Sequence, residues 1–336
     1  MSYRVAVVGC GGISHHHARA YLSDPRMKLV AGADPDAEKR SRFQSEYGVR
    51  TYVSAADMLG DARPDVVSVC TPHPDHREPA VLAAESGAKA VLCEKPLAMS
   101  LGDADVMIRA CRERGVLLVV GHQRRFQPGH VTVARPLREG EIGKLTDLHF
   151  DVHHYDLMTW GTHAIDMIRW YNHDQPTASV FGQVDIASVH ERHGGTAEHS
   201  ALSRICFGNG LVATVVSGSM VPKWRQVVVG EEGELRVEGD PPGRALIRRR
   251  RESSWRKIPK PDHDDWQDGF DGEVRALGDS LETGAPHPLE AEGAREALAI
   301  IMATYESSRL RRVIPFPVEV TENPLYLMLV ERERQR

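Results

Sequence analysis

No apolar run among the 336 residues approaches the roughly 20 needed to cross a bilayer. The N-terminus passes directly into a strand-like segment, without the basic and apolar regions of a signal peptide. Cysteine is scarce and badly spaced for any framework. Cys10, Cys70, Cys93, Cys111 and Cys206 are odd in number and never in CxxC spacing. That argues against disulfide scaffolding and structural zinc, and for reduced thiols in a cytoplasmic protein. Neither charge sign dominates: 42 basic side chains are interspersed with 47 acidic ones. Nothing there offers a surface to nucleic acid or to a membrane. Internal repeats and low-complexity tracts are also missing. What is present is the mixture of a soluble globular chain, 41% hydrophobic and 26% charged. Its length exceeds one ordinary core and predicts two domains.

The first 121 residues alternate strand and helix signals. "YRVAVVG" is a continuous apolar run, the pattern of a parallel strand covered on both faces. Helical patterning follows over 13–22, then a strand "KLVAGA" (28–33) and a helix over about 37–47. A short strand near 49–52 leads to "DVVSVCT" (65–71), a helix over about 77–86, and "AVLC" (90–93). A helix over about 101–114 and the strand "VLLVVG" (116–121) close the series. This alternation predicts an α/β domain over 1–122, a doubly wound parallel sheet of Rossmann type.

From 123 to 336 the pattern changes. "LTDLHFDVHHYD" (145–156) alternates like a half-exposed strand, and a helix is expected over about 162–171. Long β-like segments follow at 177–190, 200–218, 225–238 and 244–258, broken by turns such as "FGNG" (207–210). Helices near 270–283 and 290–309 finish the chain. The second domain is therefore expected to be α+β, with a large, mostly antiparallel open sheet.

Three stretches of the first domain carry chemistry. "VAVVGCGGIS" sets Gly9, Gly11 and Ser14 at G-x-G-x-x-S between a strand and a helix. Gly9 permits a tight turn, and Gly11 lets a pyrophosphate approach backbone amides at the helix N-terminus, with Gly12 and Ile13 beside it. Asp34 ends the second strand, 20 residues past Ser14, where a carboxylate holds a ribose diol. That acid, followed by Pro35 rather than a basic residue, favours NAD over NADP. "CTPHPDH" (70–76) follows the fourth strand, so Thr71, Pro72 and His76 are expected to border the nicotinamide. On chemistry alone the loop is equally a rigid proline-rich turn. "AVLCEKPLA" ends a buried strand in Glu94, Lys95 and Pro96 on the same rim. A lysine there can face the reacting oxygen and favour a developing alkoxide. By position alone a Glu94–Lys95 surface pair explains it equally well.

Taken in order, these stretches and "GHQRRFQP" (121–128) resemble the glucose–fructose oxidoreductase / inositol dehydrogenase (Gfo/Idh/MocA) family, over essentially the whole chain. "GEEGELRVEG" (230–239) and "ATYESSRLRRVIPFP" (303–317) are similar to that family's second domain. The resemblance implies that Lys95 contacts both cofactor and substrate and that the Lys95–Pro96 bond is a candidate for cis. It also implies an Asp and a His spaced D-x-x-x-H at a helix start. "DLMTWGTHAIDM" (156–167) keeps His163 and Asp166, but Thr159 stands at the aspartate's place, with Asp156 three residues upstream. His163 remains the expected proton-transferring group. Thr159 is expected to cap the helix through its hydroxyl, and Asp156 to reach the pocket from the preceding strand, as partner of a substrate hydroxyl or orienter of His163. Arg124, His154, Asp156, Thr159 and Lys95 are the expected substrate contacts. His153 and His154 should point to opposite strand faces, with His154 sharing the face of Asp156.

Other features read as structural. "HHH" (15–17) lies in a helix, where neighbours diverge by about 100° and cannot share a metal ion. His190, Glu191, His193 and His199 fit no familiar ligand spacing, so no metal is expected. "RRRR" (248–251) reads as a charged edge strand. The resulting expectation is an NAD(P)-dependent dehydrogenase, with NAD favoured, acting on a secondary alcohol of a sugar, cyclitol or related polyol. A glycosidase working through transient oxidation and a non-catalytic dinucleotide-binding regulator are the alternatives. An open sheet with one uncovered face further predicts a homodimer or homotetramer.

Overall fold

The computed structural model describes residues 2–334 other than Tyr155 and Met220. In chain order the first elements are β1 (Tyr3–Val8), α1 (Gly12–Ser23), β2 (Met27–Ala33), α2 (Ala37–Tyr47), β3 (Arg50–Tyr52) and α3 (Ala55–Ala62). β4 (Val66–Val69), α4 (Arg77–Glu85), β5 (Ala90–Cys93), α5 (Leu101–Arg112) and β6 (Leu117–Val120) follow. Then come α6 (Pro128–Arg138), β7 (Leu145–His153), α7 (Thr162–Tyr171), β8 (Thr177–Asp185), β9 (His190–Arg192) and β10 (Gly195–Ala197). β11 (Ser200–Phe207), β12 (Val212–Gly218), β13 (Arg225–Gly230), β14 (Gly233–Glu238), β15 (Arg244–Arg249) and β16 (Arg256–Lys257) continue the β-rich part. The chain finishes with α8 (Trp266–Thr283), α9 (Ala291–Leu310), β17 (Ile314–Pro315) and α10 (Pro324–Arg334).

β1 to β6 form one parallel sheet in the order β3-β2-β1-β4-β5-β6. That is the Rossmann order, and its switch point lies between β1 and β4. β4 and β5 are buried along their whole length, as their unbroken apolar runs require. The second sheet has nine strands ordered β16-β15-β14-β13-β7-β12-β11-β8-β17. Only the β7–β12 pair is parallel.

The chain divides into two compact units, one of residues 1–126, 193–195 and 265–295, the other of 127–192, 196–264 and 296–336. A division at 122/123 assigns the helix near 270 to the second domain; in the structure α8 lies in the first compact unit. Phe270, Val274 and Leu277 of α8 are buried in the first unit's core with Val5, Tyr21, Val66 and Leu92. Hydrophobic burial, worth about 1.5–3 kcal/mol for each large side chain, decides where α8 belongs.

Three helices were not expected. α3 has only 8 residues, α6 carries Pro136 in its interior, and α10 begins at a proline. Each looks like a break in the pattern. The expected strand 145–156 ends at His153, and its Tyr155 lies outside the described residues. Long β segments such as 200–218 resolve into hairpins, here β11 and β12 turning at the expected "FGNG".

Candidate active site

Backbone geometry builds the dinucleotide end of the first unit. After β1, Gly9 turns the chain at φ +88°, and its N–H donates to the Ala33 carbonyl at 2.7 Å. A Cβ at Gly9 would stand 2.6 Å from the carbonyl carbon and oxygen of Cys70. Only glycine allows the ends of β1 and β4 to lie so close. Gly11 and Gly12 lead into α1, and a Cβ at either would meet nothing within 4 Å. No side chain caps α1, and its first turn holds no acid. Open space before uncapped amides suits a pyrophosphate. Ser14, buried, donates its hydroxyl to the Gly11 carbonyl at 2.5 Å, which closes the turn from inside. Ile13 packs against both core clusters of this unit.

Asp34 follows β2. Its Oδ2 accepts the Cys10 N–H at 2.9 Å and its Oδ1 the Asp36 N–H at 2.8 Å. The carboxylate is thereby pinned beside the glycine turn, where a ribose diol belongs. Arg40, a cation that a 2′-phosphate would attract, donates instead to the carbonyls of Asp34 and Pro35 at 2.8 and 2.9 Å. The residues present fit NAD. Asp34→Ala is expected to narrow the preference for NAD over NADP by about tenfold, through lost repulsion and lost diol contact. Dissociation constants from NADH and NADPH fluorescence titrations check this, and an unchanged ratio contradicts it.

The loops after β4 and β5 are tied together. The Thr71 hydroxyl donates to the Asp75 carbonyl at 3.0 Å, and Pro72 is exposed. His76 is fully buried, with its ring between the carbonyls of Pro96 (2.9 Å) and Thr71 (3.2 Å). Burial lowers its pKa, against the pull of these two carbonyls. The Lys95–Pro96 bond is cis. Burial, then the charge of Lys95, pushes the His73 pKa down to about 2, so His73 is neutral beside the lysine.

Behind Lys95 lies a buried polar chain that sequence reading missed. His17 Nε2 donates to Glu94 Oε1 at 2.8 Å, its Nδ1 meets Ser68 Oγ at 3.1 Å, and Ser68 in turn meets the Tyr21 hydroxyl at 2.7 Å. Burial alone would raise the Glu94 carboxyl; the His17 bond and charge, with Lys95, outweigh it and hold Glu94 below its ordinary value. Glu273 of α8 is also fully buried, and burial, then the charge of Glu94, raises its pKa well above the ordinary carboxyl value. The three histidines of α1 part company. His15 meets Tyr47 and Glu46, His16 meets Gln267, and His17 meets Glu94. Arg124 follows β6 in a short helical turn and is 1% exposed.

In the second unit a π-helical turn, Leu157–Gly161, runs directly into α7. Its N-cap is Asp156, whose Oδ1 accepts the Thr159 N–H at 2.7 Å. This corrects the expectation that Thr159 caps the helix. The helical segment reaches back one turn further, so Thr159 sits inside it and is 2% exposed. Asp156 Oδ2 pairs with Arg192 Nε at 3.3 Å. His163 lies in the first turn of α7, 1% exposed, its ring 5.8 Å from that of Trp160. Asp166, one turn on, is buried as well. His154 departs from the strand pattern. β7 stops at His153, His154 turns at φ +60°, and the two rings lie 3.6 Å apart rather than on opposite faces.

With the geometry in hand, comparison with known proteins identifies the group. The family model for an oxidoreductase family with an NAD-binding Rossmann fold matches residues 3–122. Its companion, the C-terminal alpha/beta domain of that family, matches residues 152–319. The chain belongs to the Gfo/Idh/MocA oxidoreductase family. Among relatives, an inositol 2-dehydrogenase from Saccharopolyspora erythraea is 29% identical over 94% of this chain and 96% of its own length. D-apiose dehydrogenase from Paraburkholderia graminis is 38% identical, but the match spans only 42% of this chain and 38% of that enzyme. The WlbA dehydrogenase of Bordetella pertussis, solved with NADH and UDP-GlcNAcA, shares the fold with a TM-score of 0.80 at 23% identity. That match covers 95% of this chain and all of the WlbA chain. In this Gfo/Idh/MocA chain, then, residues 3–122 are an NAD-binding Rossmann domain.

Glu198 is a buried member of this region that no sequence pattern marks. It directly follows β10, is fully buried, and accepts the Leu157 N–H at 2.8 Å and the Tyr305 hydroxyl at 2.7 Å. A glutamate flanked by histidines in a Gly-rich region looks solvated, and only the tertiary fold buries it.

Proposed function

We propose that the protein is an NAD-dependent dehydrogenase of a secondary alcohol on a cyclitol, sugar or related polyol. The observation that carries this reading is Lys95, placed at the carboxyl end of β5 next to the switch-point strands and backed by the buried Glu94–His17 pair. Bound NAD supplies a hydride acceptor at nicotinamide C4. The Lys95 ammonium polarises the substrate oxygen and favours its alkoxide character. His163 takes up or returns the hydroxyl proton. Thr159 and Asp156 shape the turn from which His163 projects, and Arg124 and His154 are the remaining candidates for substrate contact. Screening myo-inositol, scyllo-inositol, D-apiose, 1,5-anhydro-D-fructose and related polyols for NADH production tests the reading. A chain that binds NAD tightly but reduces it with none of them is instead a regulator, the reading that Thr159 in place of the usual aspartate favours. Glycosidic cleavage without net NADH marks the third alternative.

The same reading places the protein in the cytoplasm, as a homodimer or homotetramer. Five free cysteines, four of them buried, suit a reducing compartment. Phe181 and Leu202 stand 45% and 40% exposed on the outer sheet face, and Leu202 lies directly opposite Val216 across the β11–β12 pair. A second copy covers such a face readily. Light scattering at micromolar concentration is expected to give a mass of at least two chains, and Leu202→Asp to lower it. A monomeric wild-type protein contradicts the assignment.

A further inference from the structure

We propose that Glu198 is a positioning residue of this reaction: together with Asp156 it fixes the π-turn that leads into His163. The proposal rests on the dehydrogenase reading above. Two carboxyl groups seize the amides of one five-residue turn, Glu198 Oε1 that of Leu157 and Asp156 Oδ1 that of Thr159. Both residues are buried, at 0% and 1% exposure.

The groups that face Glu198 come from four elements. Asp156 caps the turn itself, Arg192 of β9 pairs with Asp156, Tyr305 of α9 meets Glu198 Oε2, and Tyr326 of α10 is near enough to Tyr305 to affect it. Among the described residues these supply one cation for two carboxyls. Two buried carboxylates sharing one guanidinium do not both ionise at low cost. Burial, then the charge of Asp156, raises the Glu198 pKa to about 7. Protonated Glu198 still accepts the Leu157 N–H through Oε1. The pair then carries one negative charge, which Arg192 balances.

Ionising Glu198 adds a second buried charge against Asp156. The two acceptors repel, the bonds to Leu157 and Thr159 weaken, and the turn that orients His163 loses its fixed register. The stability consequence has a definite sign. The folded pKa lies above the ordinary 4.5, so the folded chain holds the extra proton. Its contribution is full below the ordinary value and is lost as pH climbs through about 7.

The test compares wild type, Glu198→Gln and Glu198→Ala. Infrared difference spectra of the NAD-loaded protein between about pH 6 and pH 8 follow the protonated-carboxyl C=O band, whatever the substrate. The wild type is expected to lose such a band near neutrality, and Glu198→Gln to lack it. With the best substrate from the polyol panel, the wild-type kcat is expected to carry an alkaline limb over the same range. Glu198→Gln removes that limb, and Glu198→Ala lowers kcat about threefold to tenfold at every pH with KM for NAD unmoved, while circular dichroism shows both variants folded. A band that persists in Glu198→Gln overturns the proton assignment. A band that vanishes while the limb stays overturns the positioning role. If no polyol reduces NAD, the dehydrogenase reading falls and this proposal with it, however the band behaves.

Discussion

Lys95→Ala lowers turnover by roughly 10²–10⁴, about 2.7–5.4 kcal/mol of transition-state stabilisation. The size follows from where the lysine stands. It closes β5 on the rim where ligands of doubly wound sheets bind, and its charge already bears on His73 and Glu94. A rim lysine supports little core, so the variant should fold. The side chains of β5 that do support the core, Ala90 to Cys93, are untouched and fully buried. Steady-state kinetics on the best polyol, with melting curves as the folding control, decide the matter. A change of less than about threefold would reduce Lys95 to a surface partner of Glu94.

Asp156→Asn is expected to cost at least tenfold in kcat/KM, about 1.4 kcal/mol. The asparagine oxygen can still accept the Thr159 N–H, so the cap survives and the fold with it. What disappears is the charge that balances Arg192 and opposes ionisation of Glu198. Thr159→Ala should act mainly on stability, by about 1 kcal/mol, since its hydroxyl is buried in the turn. If instead Thr159→Ala controls the rate and Asp156→Asn is silent, the hydroxyl has taken over the role of the carboxylate usual in the family.

Local pattern made the dinucleotide end legible. Apolar runs, a glycine turn, an acid after the next strand and a lysine–proline at a strand end are all short-range signals, and each follows from backbone constraints. The six parallel strands were read for the same reason. What escaped was held by distant partners. The His17–Glu94 bond joins residues 77 apart, and the Leu157–Glu198 bond residues 41 apart. No periodicity connects such positions. The capping role expected of Thr159 falls to Asp156 because a π-turn over Leu157–Gly161 carries the helical segment back one turn. His154 was misread because a left-handed residue ends the strand rule of alternating faces.

The return of residues 265–295 to the first unit has a consequence for synthesis. A ribosome releases residues 1–126 long before α8 exists. Until then Val5, Tyr21, Val66 and Leu92 lack Phe270, Val274 and Leu277, the side chains that complete their cluster. The nucleotide-binding part of the nascent chain must therefore wait, partly open to solvent, while the whole intervening β-rich segment is made. Its closure waits for α8, made after that segment.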